Sequence, residues 1–238
     1  MKNNKQELKI ALGYMLIMAV GMTVAYHVFG YSYSDIRLVK VLVIFEAAMT
    51  AYAFAFYRKM YSGTGFKKIR LNPVLIYYAL MMSAVFLFYI IDRYYLENRE
   101  LMVTIVIATV FIAVSEELIY RGIVLNGYLR NNSVIKSVFC SAVLFSLLHS
   151  VNIFAGFGVI SVLTQLVNTF IHGMAMGCMM VKTKNLIPFM AFHFIWDLVM
   201  LSSSAFANEN AIIVMLALVS DLVIATVMIS SFKKKNLV

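Results

Sequence analysis

Residues 101–125 read LMVTIVIATVFIAVSEELIYRGIVL. A helix needs about 20 mostly apolar residues to cross the roughly 30 Å hydrocarbon core of a bilayer, and this run is long enough. Glu116, Glu117 and Arg121 nevertheless lie inside it. Ionisable residues within a membrane span are costly, face protein or water rather than lipid, and mark functional sites by default. The stretch therefore predicts a membrane fold with a site inside it.

The composition of the whole chain predicts the same fold class. Of its 238 residues, 63% are hydrophobic and only 13% are charged, whereas soluble domains average about 45–50% and 25%. We predict an all-α, polytopic membrane protein that forms a single domain over residues 1–238, with eight transmembrane helices around an intramembrane active-site cavity. The predicted spans are Ile10–Phe29, Leu38–Tyr57, Pro73–Ile91, Leu101–Leu125, Val134–Phe154, Gly156–Val181, Leu186–Ala205 and Ala211–Ser231.

The basic residues predict the orientation in the membrane. With the N-terminus inside, the inner face collects Lys2, Lys5, Lys9, Arg58, Lys59, Lys67, Lys68, Arg70, Arg130, Lys136, Lys182, Lys184, Lys233, Lys234 and Lys235. The outer face receives only Arg37, Lys40, Arg93 and Arg99. Such a positive-inside bias favours eight spans with both termini in the cytoplasm. The net charge of +9 then indicates anionic membrane lipid as a partner rather than nucleic acid.

Glu116 and Glu117 are predicted to differ in role. Residues four apart share a helix face while neighbours point about 100° apart, so Glu117 and Arg121 can form an ion pair. Glu116 lacks such a local cation and faces elsewhere, in register with Tyr120. A desolvated carboxylate of this kind suits a general base. A purely structural ion-pair cluster between helices is the alternative.

Two later spans add imidazoles. Phe145 and His149 share one face of the fifth span, and His193 and Asp197 share one face of the seventh. Asp197 can accept a hydrogen bond from His193 and fix its tautomer, although the same spacing suits two metal ligands. A histidine in a membrane helix can also be a packing residue. For peptide hydrolysis, Glu116 would take a proton from water while the histidines and Asp197 stabilise the oxyanion or orient the water.

The depths of these residues do not agree on the predicted helices. Glu116 lies about 22 Å along its span from Leu101, and His149 about 22 Å along its span from Val134. Because those helices run in opposite directions, each residue falls beyond the midplane, towards the opposite side. Their meeting requires tilted helices or shifted helix ends.

The motifs Glu116-Glu117-x-x-x-Arg121, Phe145-x-x-x-His149 and His193-x-x-x-Asp197 resemble the three motifs of the CPBP family. This family contains CAAX proteases and bacteriocin-processing enzymes and is also called the abortive-infection family. The resemblance covers roughly residues 101–200, the expected catalytic core. It implies an intramembrane endopeptidase that acts on a membrane-associated peptide or protein in peptide maturation or bacteriocin processing or immunity.

Carried over by position, the resemblance implies that Glu116 activates water and that His149 and His193 complete the centre. Glu117 and Arg121 would support it, with Phe145 as part of the second motif. Position 197 departs from the eukaryotic branch, which has asparagine, so Asp197 would be protonated, orient His193 or bind a metal. A metal-free centre, with water held directly by Glu116, is slightly favoured, and a divalent metal such as zinc held by Glu116, His149 and His193 is the open alternative.

Other functions fit the same residues. A non-catalytic immunity or binding protein could sequester a peptide in the cavity, and a transporter could relay protons through these groups. The expected substrate has an apolar or membrane-anchored segment, and the expected location is a bacterial plasma membrane. Glu46 and Asp221 are isolated acids in apolar spans. Either could line the cavity, but helix-to-helix hydrogen bonds are the favoured expectation.

Overall fold

A computed structural model of the protein describes residues 4–69, 71–91, 96, 98–202 and 211–235. Within these ranges the chain is almost entirely helical, as predicted. The long helices are α1 (Lys5–His27), α2 (Val39–Tyr61), α3 (Pro73–Ile91), α4 (Met102–Glu116), α5 (Val134–Leu148), α6 (Val159–Thr183), α7 (Ile187–Ser202) and α8 (Ala211–Lys235). Two of them continue in other helical forms: α4 as a π-helix over Glu117–Leu125 and a last α-helical turn over Asn126–Leu129, and α5 as a 3-10 helix over His149–Ala155.

Seven helical segments in the described part of the chain are long and apolar enough to cross a membrane. The protein is therefore a multi-pass membrane protein. The exception among the long helices is α7, whose 16 residues extend about 24 Å, so the count of eight spans stays a prediction. The predicted end of this span at Ala205 lies outside the described residues, as do Lys2, Arg70 and Arg93 of the charge count.

The short α7 begins within the helix bundle. A Cβ on Gly122 would lie 3.5 Å from Leu186 Cδ1, so the residue that precedes α7 lies level with Gly122. That level is seven residues, about 10 Å, before the end of the α4 continuation at Leu129. The backbone N–H of Leu186 donates to the Gly65 carbonyl at 2.7 Å, which ties this inner turn to the loop between α2 and α3. Because α7 begins inside the bundle and not at its end, α7 is shorter than the other long helices.

The α4 segment lies at the centre of the bundle. It packs against α2 and α7, and its π-helical continuation packs against α2 and α5. Every residue of Glu117–Leu125 is buried. The outward faces of the other helices carry exposed apolar side chains such as Leu16, Ile44 and Leu80, as expected where lipid is the solvent. The charged residues of the central segment thus face protein and not the membrane.

The structure removes the conflict in depth between Glu116 and His149. The helix does not end at Leu125 as predicted but continues to Leu129, because Asn126 Nδ2 donates to the carbonyls of Arg121 and Gly122 at 3.0 Å each. Glu116 therefore lies 13 residues, about 20 Å, from the C-terminal end of its helix at Leu129, and His149 lies 15 residues, about 22 Å, from the start of α5. The two residues are level.

Candidate active site

Glu117 forms a buried ion pair one helical turn from its partner. Arg121 Nη1 donates to Glu117 Oε1 at 2.9 Å, and both side chains are at most 1% exposed. The predicted pair is therefore present. The same oxygen of Glu117 also faces His193 Nδ1 at 3.2 Å, a contact between distant helices that the sequence did not indicate. Glu117 thus joins the α4 segment to α7.

The π-helix begins at Glu117, directly after Glu116. A π-helix bonds residue i to i+5 and occurs mostly as short insertions, frequently at functional sites. The i, i+4 spacing predicts an α-helix over this segment, and that prediction is wrong. The wider turn starts between the two carboxylates, so the backbone itself changes form at the candidate site.

Phe145 is the aromatic centre around which the charged and imidazole groups are arranged. The Arg121 guanidinium carbon lies 4.2 Å from the Phe145 ring centroid, which is a favourable cation–π distance. The rings of His149 and His193 meet Phe145 edge to face, with centroids 5.4 and 6.0 Å away. Phe145 therefore fixes the guanidinium and both imidazoles from one position on α5.

His193 is surrounded by three carboxylates. Its Nδ1 faces Glu117 at 3.2 Å, while its Nε2 lies 3.3 Å from Asp197 Oδ2 and 3.8 Å from Glu116 Oε2. Because an ionised carboxylate only accepts hydrogen bonds, the ring is arranged to donate from both nitrogens. The contact with Asp197 follows from their i, i+4 spacing on α7, as predicted. His193 is 5% exposed, so this imidazole is a buried, anchored donor.

His149 lies at the junction of α5 and its 3-10 continuation. Its Nδ1 lies 3.2 Å from the carbonyl oxygen of Phe145, which accepts, so Nδ1 carries the proton and Nε2 is left with a lone pair. His149 interacts electrostatically with Asp197 and His193. The structure therefore brings His149 beside the carboxylate cluster without a direct bond to Glu116.

Glu116 is the least satisfied of the predicted residues. The residue is 4% exposed, yet its Oε2 has no hydrogen-bond partner among the described residues. The neighbouring Ser115 is satisfied differently, because its hydroxyl and that of Tyr14 on α1 are bonded at 2.6 Å. Glu116 is thus held in place by its backbone and surroundings while one carboxylate oxygen stays free to bind water or substrate.

Tyr33, which sequence reasoning missed, borders the site from the loop between α1 and α2. Gln165 Nε2 donates to its hydroxyl at 3.0 Å, and Gln165 in turn accepts from Asn152. Tyr33 interacts electrostatically with Asp197 and Glu116, and burial raises the pKa of its hydroxyl. It is therefore a neutral hydrogen-bond donor at the edge of the cluster. A loop residue without a motif carries no sequence signal for this role.

Glu46 and Asp221 differ from each other in the structure. Asp221 Oδ2 lies 2.9 Å from Nδ1 of His172, which is the predicted kind of helix-to-helix hydrogen bond. The His172 ring lies 6.4 Å from that of His193, so this pair adjoins the site. For Glu46 the same prediction is wrong, because neither carboxylate oxygen has a partner among the described residues.

The residues do not form a metal-binding cluster. Within the described ranges, no three His, Cys, Asp or Glu side chains are placed to hold one metal ion. The zinc alternative required Glu116, His149 and His193, but both nitrogens of His193 face carboxylates, so this imidazole has no lone pair directed at a shared metal position. The present arrangement does not fit zinc.

Comparison with known proteins supports a family assignment for the segment that carries the three motifs. Residues 98–199 match the sequence model of the family described as "Type II CAAX prenyl endopeptidase Rce1-like". The matched segment contains all three motifs, and the match supports assignment of the chain to the CPBP family of CAAX proteases. No curated protein matches the chain. The family is one of proteases, so protease activity is supported at that level.

Proposed function

We propose that this protein is an intramembrane endopeptidase that hydrolyses a peptide bond in a membrane-associated peptide or protein, with Glu116 activating water. The observation that carries the proposal is the free Oε2 of Glu116, 3.8 Å from Nε2 of His193. An unpaired acceptor beside an anchored donor is what base-catalysed attack on a carbonyl requires.

The first step uses both groups. Glu116 takes a proton from water as the water oxygen attacks the peptide carbonyl carbon. The Nε2–H of His193 shifts its hydrogen bond from Asp197 to the carbonyl oxygen as that oxygen becomes negative. Asp197 and Glu117 hold the His193 ring from its two nitrogens, so the donor is oriented before the reaction begins. In this scheme Asp197 stays ionised and orients His193.

His149 is proposed to orient the attacking water. Its proton is held on Nδ1 by the Phe145 carbonyl, so Nε2 can accept a hydrogen bond from water. Tyr33, a neutral donor near Asp197 and Glu116, is proposed to bind a carbonyl of the substrate backbone. No step requires a metal. Chelator treatment is expected to leave activity unchanged, and loss of activity restored by zinc would overturn this mechanism.

The proposed substrate carries an apolar or membrane-anchored segment, because the site is buried within a bundle of membrane helices. Prenylated tails, the substrates of the prenyl endopeptidase family, and bacteriocin precursors are both candidates. We place the protein in a bacterial plasma membrane, with both termini in the cytoplasm on the basis of the distribution of Lys and Arg. Reporter fusions at each terminus test this orientation.

The function is tested by comparing membranes that contain wild-type protein with membranes that contain Glu116→Gln. Both are incubated with a library of apolar peptides, prenylated and unprenylated, and products are identified by mass spectrometry. We expect peptides that only the wild-type protein cleaves. Glu7→Gln is the matched control, since Glu7 is a buried acid at the inner end of α1, bonded to Tyr61 at 2.6 Å.

Two results would contradict the proposal. If wild-type membranes cleave no peptide, the protein is not an endopeptidase for these substrates. If Glu116→Gln retains full biological function, a binding role such as peptide sequestration explains the site better, because binding does not need a base at position 116.

A further inference from the structure

Glu46 is the most anomalous residue outside the described mechanism. It lies in the middle of α2 with 0% of its surface exposed, and both of its carboxylate oxygens lack a hydrogen-bond partner among the described residues. An isolated, ionised carboxylate in a low-dielectric interior costs several kcal/mol. Glu46 therefore needs a proton, water or a ligand to compensate for its burial.

The packing of α2 turns Glu46 towards α4, the helix that carries Glu116. Helices α2 and α4 run side by side in the same direction, since Thr50 Oγ1 donates to the Phe111 carbonyl at 3.1 Å and Tyr57 packs on Gly122. Glu46 lies four residues before Thr50, so it shares the face that packs on α4.

The electrostatic neighbours of Glu46 are the catalytic candidates themselves. Glu46 interacts with Glu116, Asp197 and His193. Tyr14, whose hydroxyl is bonded to Ser115, interacts with both Glu46 and Glu116. Glu46 and the free oxygen of Glu116 thus belong to one buried polar region.

We propose that Glu46 is a second catalytic carboxyl group, which gives its proton to the amine that leaves during peptide hydrolysis. This inference rests on the endopeptidase function proposed above. Ionising two unpaired carboxyl groups in one buried site costs much free energy. The pair therefore holds one proton. Glu116, beside the His193 donor, is the ionised member, and Glu46 is the protonated one.

The proposed cycle is balanced. Glu116 accepts one proton from water, and the remaining hydroxide oxygen bonds to the carbonyl carbon. When the C–N bond breaks, its electron pair stays on nitrogen, and nitrogen takes the proton of Glu46. The products are a carboxylic acid and an amine. Glu116, now protonated, returns a proton to Glu46 through water and restores the starting state.

The kinetic test compares two leaving groups. The peptide that wild-type membranes cleave is prepared as the amide and as a thioester at the same bond. A thiol has an ordinary pKa near 8.5, so sulfur can leave as the thiolate without taking a proton. An amine nitrogen must take a proton in order to leave. We expect Glu46→Gln to lower amide hydrolysis about 100-fold or more and thioester hydrolysis less than about threefold. Glu116→Gln lowers both, and Glu7→Gln lowers neither.

The stability test does not depend on activity. If Glu46 is kept for catalysis, Glu46→Leu removes an unsatisfied group, so the melting temperature in detergent is expected to stay equal or rise. Infrared difference spectra of wild-type protein against Glu46→Gln should contain the carbonyl band of a protonated carboxylic acid. A spectrum without this band, or a lowered melting temperature for Glu46→Leu, overturns the proposal.

The outcomes separate this inference from the protease proposal. An active wild-type protein with Glu46→Gln equal to it on the amide, or with equal losses on amide and thioester, overturns the role of Glu46 alone. A wild-type protein that hydrolyses neither substrate overturns the endopeptidase function and, with it, the catalytic role of Glu46.

Discussion

Glu116 and Glu117 are adjacent in the chain but lie in different environments. Glu117 is bonded to Arg121 and His193 and belongs to a region organised around the Phe145 ring. Each acid leaves its Oε2 without a hydrogen-bond partner among the described residues. The ion-pair contact of Glu116 is the longer one, 3.8 Å to His193, and Glu116 interacts electrostatically with Glu46. The region around Glu117, called the paired region below, holds the side chains of the site in place, and disrupting it is expected to destabilise the fold. The region around Glu116 and Glu46 contains the groups that are proposed to react.

The difference shows how one short segment can supply both structure and chemistry. An α-helix directs adjacent side chains about 100° apart, and here the change to a π-helix falls between the two acids. Both carboxylates face His193 on α7, but Glu117 also reaches the cation on its own helix, whereas Glu116 does not. Removing either carboxylate should reveal which region it serves.

The largest expected effect is on activity at position 116. Glu116→Gln removes the base and should lower peptide cleavage by about 10³-fold, within the range typical of general acid–base catalysis. The amount of folded protein in the membrane should not change. Purified variant and wild type are compared for cleavage rate at equal concentration, and a loss of less than tenfold would show that another group activates water.

The next largest effect is on stability at position 121. Arg121→Met leaves Glu117 buried without its main cation, which should cost about 3–5 kcal/mol of unfolding free energy. Unfolding in detergent micelles measures this change. Arg37→Met is the matched control because the Arg37–Asp35 pair is on the surface, with Arg37 58% exposed. If the two variants unfold alike, the buried pair is not what holds the paired region together.

A smaller effect is expected where the two regions share His193. Asp197→Asn keeps a hydrogen-bonding group at the position but replaces a charge-assisted bond with a neutral one, a loss of about 1–2 kcal/mol. Since each 1.4 kcal/mol is a factor of ten, cleavage should fall roughly tenfold with little change in stability. A loss as large as that of Glu116→Gln would show that Asp197 does more than orient His193.

The smallest effect concerns a charge outside both regions. Hydrogen bonds from Arg37 hold the pKa of Asp35 below its ordinary value. A lowered native pKa stabilises the fold above the unfolded pKa of about 3.9, and that stabilisation is lost as pH falls through the lowered value. Wild type and Asp35→Asn should therefore differ slightly in melting temperature near neutral pH and converge in strong acid. A difference that grows in acid would contradict the assignment.

Local spacing predicted the contacts that lie within one helix. The i, i+4 rule gave the Glu117–Arg121 and His193–Asp197 pairs, and the apolar runs placed the long helices to within a few residues. Such rules do not reach across helices. The contact of His193 with Glu117, the position of Tyr33 and the electrostatic interaction of Glu46 with Glu116 depend on how distant segments pack.

Backbone irregularities were equally invisible. The π-helix has no sequence signature in Glu117–Leu125, and Asn126-Gly127, ordinarily a turn signal, stays helical because the Asn126 side chain bonds to the carbonyls behind it. Those few residues decide the depth of Glu116. The family resemblance indicated which residues form the site, and the packing of the helices determines the depth at which these residues meet.

The most direct measurement is the melting temperature of Glu116→Gln and Glu117→Gln, determined side by side with peptide cleavage. Glu116→Gln should melt at or above the wild-type temperature and be inactive, because it loses an unpaired acid. Glu117→Gln should melt well below it, because Arg121 loses its partner. Equal shifts in the same direction, or a stable Glu117→Gln beside an unstable Glu116→Gln, would contradict the division between the two acids.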